Sequence, residues 1–362
     1  MNSRLLLIVL VLSFFLPTGK ASPQESLKVM VRGRVVDDST GASLPLTNVF
    51  ISNSTIGTAA DSSGRFVLRG IPTGMQQIVA SIVGYKPVSA TLKLTDSTTQ
   101  VVEFRLRSSP VQLQTIEIEA KDPVEWKKDL DRFVKAFIGS SSHSSGCNLL
   151  NPQVLDFSYD EDAGKLVATA RAPLEIENRA LGYHMTCNMV LFVAVGEGLE
   201  FISLNAFRPL RPKDAIESEL WASNRRGAYF GSKRHFLTSL IKNRIKQEGF
   251  DVYSVRRDWL QNALRRPAGF EVDVQGILGP GDTPFERKFR SDDLLQVVYT
   301  PGAFRPYPAS NLLKQYSVIE LSGQSQVIFT NGLCANPLGL WTYGYWSTQR
   351  AAELLPVDYE PE

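Results

Sequence analysis

Histidine and cysteine are both scarce, with three of each in 362 residues. That scarcity removes several kinds of chemistry. A zinc hydrolase gathers two or three imidazoles and a carboxylate around one ion. His143, His184 and His235 are far apart, and none sits in a His-x-x-Glu or His-Glu-x-x-His arrangement. Cys147, Cys187 and Cys334 are too few for a disulfide-dense scaffold. In an oxidising compartment Cys147 and Cys187 are the candidate pair for one bridge. The alternative is three buried thiols packed as small hydrophobes. Phosphate-cradling Gly-x-Gly-x-x-Gly and Gly-Lys-Ser/Thr loops are missing. The Gly-x-Ser-x-Gly elbow of a serine hydrolase is missing too, because the serine-rich run between Gly139 and Gly146 lacks that spacing. The sequence therefore assigns no catalytic residue, no metal ligand and no cofactor. It also has no internal repeat.

Long hydrophobic runs are equally rare. Leu5 to Leu16 is the one such run, and a membrane-spanning helix needs roughly 20 apolar residues. With Arg4 before it and Gly19-Lys20-Ala21 after it, residues 1–21 read as an export signal cleaved after Ala21. No cysteine stands at that site to carry a lipid anchor. Removing Arg4 and Lys20 leaves 37 basic against 37 acidic residues, a formally neutral chain with no electrostatic basis for binding nucleic acid. The expected location is the periplasm, the periphery of the outer membrane or the cell surface. About 340 remaining residues suffice for two or three cores.

From Lys28 to Arg107 the pattern has a period of two. Phe66 and Leu68 alternate with Arg65, Val67 and Arg69; Phe104 and Leu106 alternate with Glu103, Arg105 and Arg107. Such alternation predicts strands with one buried face. Turn clusters at Asp37–Gly41, Asp61–Gly64 and Ile71–Gly74 separate them. The two Asp-rich turns lack the alternating oxygen ligands of a calcium loop.

The ordered set Val31-Arg32-Gly33-Arg34-Val35-Val36-Asp37, Thr40-Gly41, Asn48-Val49-Phe50-Ile51, Asp61-Ser62-Ser63-Gly64-Arg65-Phe66 and Val83-Gly84-Tyr85 resembles the carboxypeptidase-regulatory-like domain. This resemblance implies a transthyretin-like sandwich of seven strands over residues 28–108, and a role in scaffolding or binding. Tyr229 to Leu240, Asn178 to Tyr183 and the ending Leu354-Leu355-Pro356-Val357-Asp358-Tyr359 further resemble exported Gram-negative proteins grouped only by containing such a domain.

Residues 109–121, with an alternating Leu113–Glu119, read as a connector strand. Residues 122–362 read as an α+β, mainly β domain. Asp122 caps a helix ending at Gly139. Further helices are expected over Asp214–Asn224 and Ser232–Glu248. Strands are expected at Val154–Tyr159, Lys165–Arg171, Leu174–Glu177, Tyr183–Val195, Leu199–Phe207, Phe250–Val255, Phe270–Val274 and Leu294–Tyr299. Tyr316–Leu321 and Gln326–Thr330 read as a hairpin.

Charge supplies the strongest positional signal. Between Arg208 and Arg266 stand 14 basic and six acidic residues. Arg225, Arg226, Lys233, Arg234, Lys242, Arg244 and Lys246 are the candidate face for an anionic glycan, lipid headgroups or an acidic protein. The alternative is a solvated surface answering acidic segments of the same chain. The sequence thus points to a non-catalytic envelope protein whose sandwich docks onto a protein partner or glycan. An envelope hydrolase of unrecognised type is the second reading, favoured by a deep pocket or by His235 beside an acid.

Overall fold

The structure, a computed structural model, describes residues 28–95, 99–109, 123–302 and 314–361. The expected export signal with its cleavage site, the expected connector strand Leu113–Glu119 and the expected Asp122 cap lie outside the described residues.

Seven strands build the N-terminal sandwich: β1 (Lys28–Asp37), β2 (Asn48–Ile51), β3 (Gly57–Ala59), β4 (Arg65–Pro72), β5 (Gly74–Ser81), β6 (Val88–Leu94) and β7 (Gln100–Leu106). They form two sheets, ordered β4-β1-β7 and β3-β2-β5-β6. β1 runs antiparallel to β4 and parallel to β7. The expected alternation sets the burial: Val31, Val35, Phe66, Leu68, Phe104 and Leu106 are all buried between the sheets. Gly33 lets β1 pass close to β7, since a Cβ there would stand 2.0 Å from the Val102 carbonyl oxygen. Both Asp-rich turns bond to themselves. Asp37 Oδ1 accepts from the amides and hydroxyls of Ser39 and Thr40, and Oδ2 accepts from the Tyr85 hydroxyl at 2.9 Å. The Ser39 hydroxyl and these other donors hold the Asp37 carboxyl well below the usual carboxylate range. Asp37 and Tyr85, 48 residues apart, thereby tie the two ends of the motif together.

Next comes a helix laid on a sheet. α1 (Pro123–Ile138) packs on β8 (Cys147–Leu149), β9 (Leu155–Asp160), β10 (Lys165–Ala170), β11 (Leu174–Asn178), β12 (Tyr183–Val195) and β13 (Gly198–Pro209). The sheet order is β8-β11-β12-β10-β9, with β13 also pairing β12. Phe133, fully buried, sits 5.1, 5.7 and 4.6 Å from the ring centres of Phe137, Phe157 and Phe192. Leu130, Phe133 and Phe137, three and four residues apart, form the buried stripe of α1.

α2 (Ala215–Tyr229) starts where the Asp214 carboxylate accepts the Glu217 amide, and it runs five residues past its expected end at Asn224. α3 (Lys233–Ile241) is capped by Ser232, which accepts the His235 amide. It stops seven residues before the expected Glu248. Asn243 turns the chain at φ 54°, a conformation that asparagine tolerates. The turn lets Ile245 enter the core.

Two further sheets complete the fold. β14 (Phe250–Val255), β15 (Phe270–Glu271), β16 (Leu278–Pro280), β17 (Glu286–Arg290), β18 (Leu294–Tyr299), β19 (Gln315–Leu321), β20 (Ser325–Phe329) and β21 (Leu340–Gly344) assemble as β15-β14-β18-β19-β21 and β16-β17-β20. β19 and β20 therefore do not form the expected hairpin. The Ser322-Gly323-Gln324 turn, with Gly323 at φ 84°, carries the chain from one sheet to the other. The strand expected over Phe270–Val274 is likewise cut short, because the Asp273 carboxylate caps a helical turn at Val274–Ile277.

The sandwich is fastened to the helix-and-sheet body. Phe50 and Val79, on the outer face of the β3-β2-β5-β6 sheet, pack with Leu204 of β13. The Asn53 amide donates to the Asn205 carbonyl at 2.6 Å, and the Phe207 amide to the Ser54 carbonyl at 2.9 Å. The Ser81 hydroxyl donates to Asn188 Oδ1 at 2.7 Å in a buried contact. Polar groups paired in this way avoid the cost of unsatisfied burial, and they fix the register across the seam.

Candidate functional site

The seam ends in a cleft of about 330 Å³ lined by Thr55 of the sandwich, Tyr183 of β12, Arg225 and Arg226 of α2, and the C-terminal Asp358 and Glu360. Each wall is held by named contacts. The Asp358 carboxylate accepts the Thr55 amide at 2.9 Å and the Thr55 hydroxyl. Arg225 donates to the Leu181 and Gly182 carbonyls at 2.7 and 3.2 Å, with its guanidinium 4.3 Å above the Tyr183 ring. Arg234 of α3 reaches under the C-terminal segment and donates to the carbonyls of Pro356, Val357 and Tyr359 at 2.7, 2.8 and 2.6 Å. The segments around Tyr183, Arg234 and Pro356, singled out separately in the sequence, thus meet at one place.

This arrangement engages several charges of the basic face read from residues 208–266. Arg234 spends its charge on backbone carbonyls. Lys233 is half-buried beside Cys334, and burial pulls its ammonium below the ordinary value. Arg244 pairs with Glu248 at 3.0 Å, and Lys246 with Asp251 at 2.8 Å and with Glu271. Arg225 and Arg226 share the cleft with the carboxylates of the C-terminal segment. Lys242 is the one of the seven that is exposed and forms no ion pair among the described residues. Carboxylates answer Arg244, Lys246, Arg256 and Arg257 of the charge run, and packing draws Lys233 and Arg234 inward.

The Cys147–Cys187 bridge is corrected. Both thiols are free and buried. On β11, Asn178 pairs with Cys147 and Leu174 pairs with Cys187. The two cysteines are therefore two strand spacings apart, about 10 Å, and offset along the strands by about 13 Å. A disulfide needs Cα atoms within about 7 Å. Burial pushes both thiols up to about 12, which leaves almost no thiolate to react at neutral pH. Reaction of Cys147 and Cys187 with a thiol reagent in the native protein should therefore be slow. After unfolding without reductant, all three cysteines should react; a single reactive thiol would mean a bridge.

Each histidine has a glutamate. His143 Nδ1 lies 2.9 Å from Glu353, His184 Nε2 3.3 Å from Glu175 and His235 Nε2 3.4 Å from Glu248. His235 satisfies the condition of standing beside an acid, yet its setting is structural. The ring is 3% exposed and ringed by Tyr229, Phe230, Phe250 and Tyr299, with centroids 4.9 to 5.9 Å away. Its Nδ1 accepts the Gly231 amide at 3.1 Å, which places the proton of the neutral ring on Nε2, toward Glu248. Burial holds its pKa below the ordinary value.

His143 and Glu353 join the serine-rich loop to the C-terminal segment. The Glu353 hydrogen bond raises the His143 pKa above 6.5 against burial. Burial pushes Glu353 up, but the bonds from His143 and Ser141 outweigh it and keep the pKa below 4.5. A raised histidine pKa stabilises the fold below about 6.5, and that gain is lost as pH rises through the folded value; a depressed glutamate pKa stabilises it above about 4.5, and that gain is lost as pH falls. The melting-temperature gap between wild type and Glu353→Gln should accordingly be widest between those two values and shrink on either side. A gap independent of pH would show that the pair carries no charge.

The sandwich has the seven-strand, two-sheet form, with the motif residues Asp37 and Tyr85 in contact. The chain carries a CarboxypepD_reg-like domain. That family's model matches residues 31–118. The CarboxypepD_reg-like domain covers about a quarter of the chain and assigns no activity to the remainder. No curated protein matches the chain. Among solved structures, the chain is similar to 3-chlorocatechol 1,2-dioxygenase from Rhodococcus opacus (14% identity, 23% of this chain and 61% of that one, TM-score 0.19). It is also similar to a cohesin–X-dockerin complex from Acetivibrio cellulolyticus (17% identity, 23% and 58%, TM-score 0.19). A third is a DUF3823 family protein from Parabacteroides merdae (12% identity, 51% and 82%, TM-score 0.19). The chain spans less than two-thirds of the length of the first two. Likenesses at this score contribute nothing to the functional reading.

Proposed function

We propose that this is a non-catalytic binding or scaffolding protein of the cell envelope, whose CarboxypepD_reg-like domain docks onto a protein partner or glycan. One observation carries the reading. The seam fastens the β3-β2-β5-β6 side of the sandwich to the body, while the outer side of the β4-β1-β7 sheet stays exposed around Arg32, Arg34, Arg65, Val67 and Val101, away from the buried Val36. A rigid mount that presents one open sheet face suits docking. The export signal read in the sequence supports a role outside the cytoplasm.

The hydrolase reading draws on the His143–Glu353 pair, which has the geometry of a base and its orienting acid, near Cys147. A cysteine nucleophile needs a thiolate, and the Cys147 thiol is buried and pushed up to about 12. Docking is the better account. Immobilised mature protein should retain an envelope protein or glycan from an envelope extract and leave it chemically unchanged. Retaining nothing, or shortening the retained molecule on incubation, would overturn the proposal.

A further inference from the structure

The exposed sheet face is rich in arginine. Alternation along the strands turns Arg65 and Arg69 of β4, Arg32 and Arg34 of β1, and Arg105 with Arg107 at the end of β7 away from the core, and all six are exposed. Register lines Arg65 up with Arg34 and Glu103, and Val67 with Arg32 and Val101. Glu103 answers Arg105 at 2.6 Å and Asp38 answers Arg107 at 3.0 Å. Asp61 lies near Arg65, but its carboxylate is occupied by its own turn. Arg34 donates to the Gly41 carbonyl and Arg69 to the Met30 sulfur. Among the described residues no carboxylate forms an ion pair with Arg32, Arg34, Arg65 or Arg69. These four charges converge from strands distant in sequence onto one sheet face.

We propose that this face binds a linear polysaccharide carrying regularly spaced anionic groups. The inference rests on the docking role and names its ligand. Strands stand about 4.8 Å apart and same-face residues about 6.8 Å apart along a strand, so Arg32 and Arg34 follow one another along β1 and Arg65 stands one strand away from Arg34. Each guanidinium fork matches a carboxylate or phosphate with two parallel hydrogen bonds. Val67 and Val101 are 39% and 70% exposed on either side of Arg32. Their short side chains form the floor between longer arginines, where the carbon face of a sugar can rest while the arginine tips hold its charges. A surface that inserts into a bilayer would carry its apolar groups at the tips instead. A peptide added as a further strand would use the edge amides of the sheet and not its face.

The test titrates mature protein with polygalacturonate, with neutral dextran and with phosphatidylglycerol vesicles. Wild type should bind polygalacturonate and not dextran, and the affinity should fall at least tenfold between about 20 and about 200 mM salt. The variant Arg32→Gln/Arg34→Gln/Arg65→Gln, with unchanged melting, should lose at least tenfold in affinity. The variant Lys242→Gln/Arg244→Gln/Lys246→Gln should bind as wild type does. The inference is overturned by a wild type that ignores polygalacturonate, by a triple-arginine variant that binds undiminished, or by vesicle binding in place of polysaccharide binding. If the triple-arginine variant still captures an envelope component, docking survives and this face is not its site.

Discussion

Replacing Arg234 with alanine is expected to destabilise the folded chain by about 3 to 5 kcal/mol, from three charge-assisted hydrogen bonds worth about 1.5 to 3 kcal/mol each and not fully additive. The guanidinium is largely buried beneath the C-terminal segment, lies 5.4 Å from the Tyr229 ring centre and bonds the carbonyls of Pro356, Val357 and Tyr359. Removing it leaves those carbonyls without this donor, so the loss includes their unsatisfied burial as well as the bonds themselves. Lysine should not rescue the variant, because one ammonium lacks the planar fork that reaches carbonyls on both sides. The effect has a spatial signature too. The Val357 amide donates to the Asn53 carbonyl and Asp358 holds Thr55, so freeing the segment should expose residues around Leu354–Tyr359 to proteases before the core unfolds. Urea denaturation and limited proteolysis read the two consequences. An unchanged denaturation midpoint would remove Arg234 from the architecture.

The second large effect is expected at Gly182. This residue has φ 69°, where an alanine costs about 1 to 2 kcal/mol. A Cβ would stand 2.3 Å from Cε3 of Trp221 and 2.9 Å from Nη2 of Arg225. Forcing α2 away from the sheet adds about 1 to 3 kcal/mol of overpacking, so Gly182→Ala should cost about 2 to 5 kcal/mol in all. Gly164 offers the control: it has φ 57° and nothing within 4 Å of the added carbon. Gly164→Ala should show the backbone cost alone, about 1 to 2 kcal/mol. Equal losses at the two sites, measured by urea denaturation, would mean that α2 is not seated against Gly182 in solution.

Much of the strand structure is legible in the sequence because alternation is local. Tyr183–Val195, Phe250–Val255 and Leu294–Tyr299 occupy the spans that their apolar pattern marks out. Pairing is less legible. A polar turn such as Ser322-Gly323-Gln324 looks the same whether its strands pair with each other or enter different sheets. The end of α3 is hidden for a related reason: Ile245 keeps helical spacing with Ile241, although Asn243 has already turned the chain.

The candidate site shows the same limit more sharply. A run of basic residues along the chain marks out Arg208–Arg266, where Glu248, Asp251, Glu271 and backbone carbonyls answer Arg244, Lys246 and Arg234. A second exposed basic surface comes from single arginines on β1, β4 and β7. On each strand they read as the ordinary polar side of an alternating pattern. Only the register, with Arg34 between Arg65 and Glu103, makes them one face. Contacts between Phe50, Val79 and Leu204 are similarly invisible in the sequence, because a buried seam and a strand core share one apolar signal.

Docking from a rigid mount requires the sandwich and the body to be one unit, with the arginine face turned outward. Amide hydrogen exchange tests this most directly. The amides of Asn53, Phe207 and Val357 bond across the seam, to Asn205, Ser54 and Asn53 respectively. They should exchange as slowly as the core amides of β1 and β18. Exchange at loop rates, with β1 and β18 still protected, would show the seam open in solution and contradict the rigid mount.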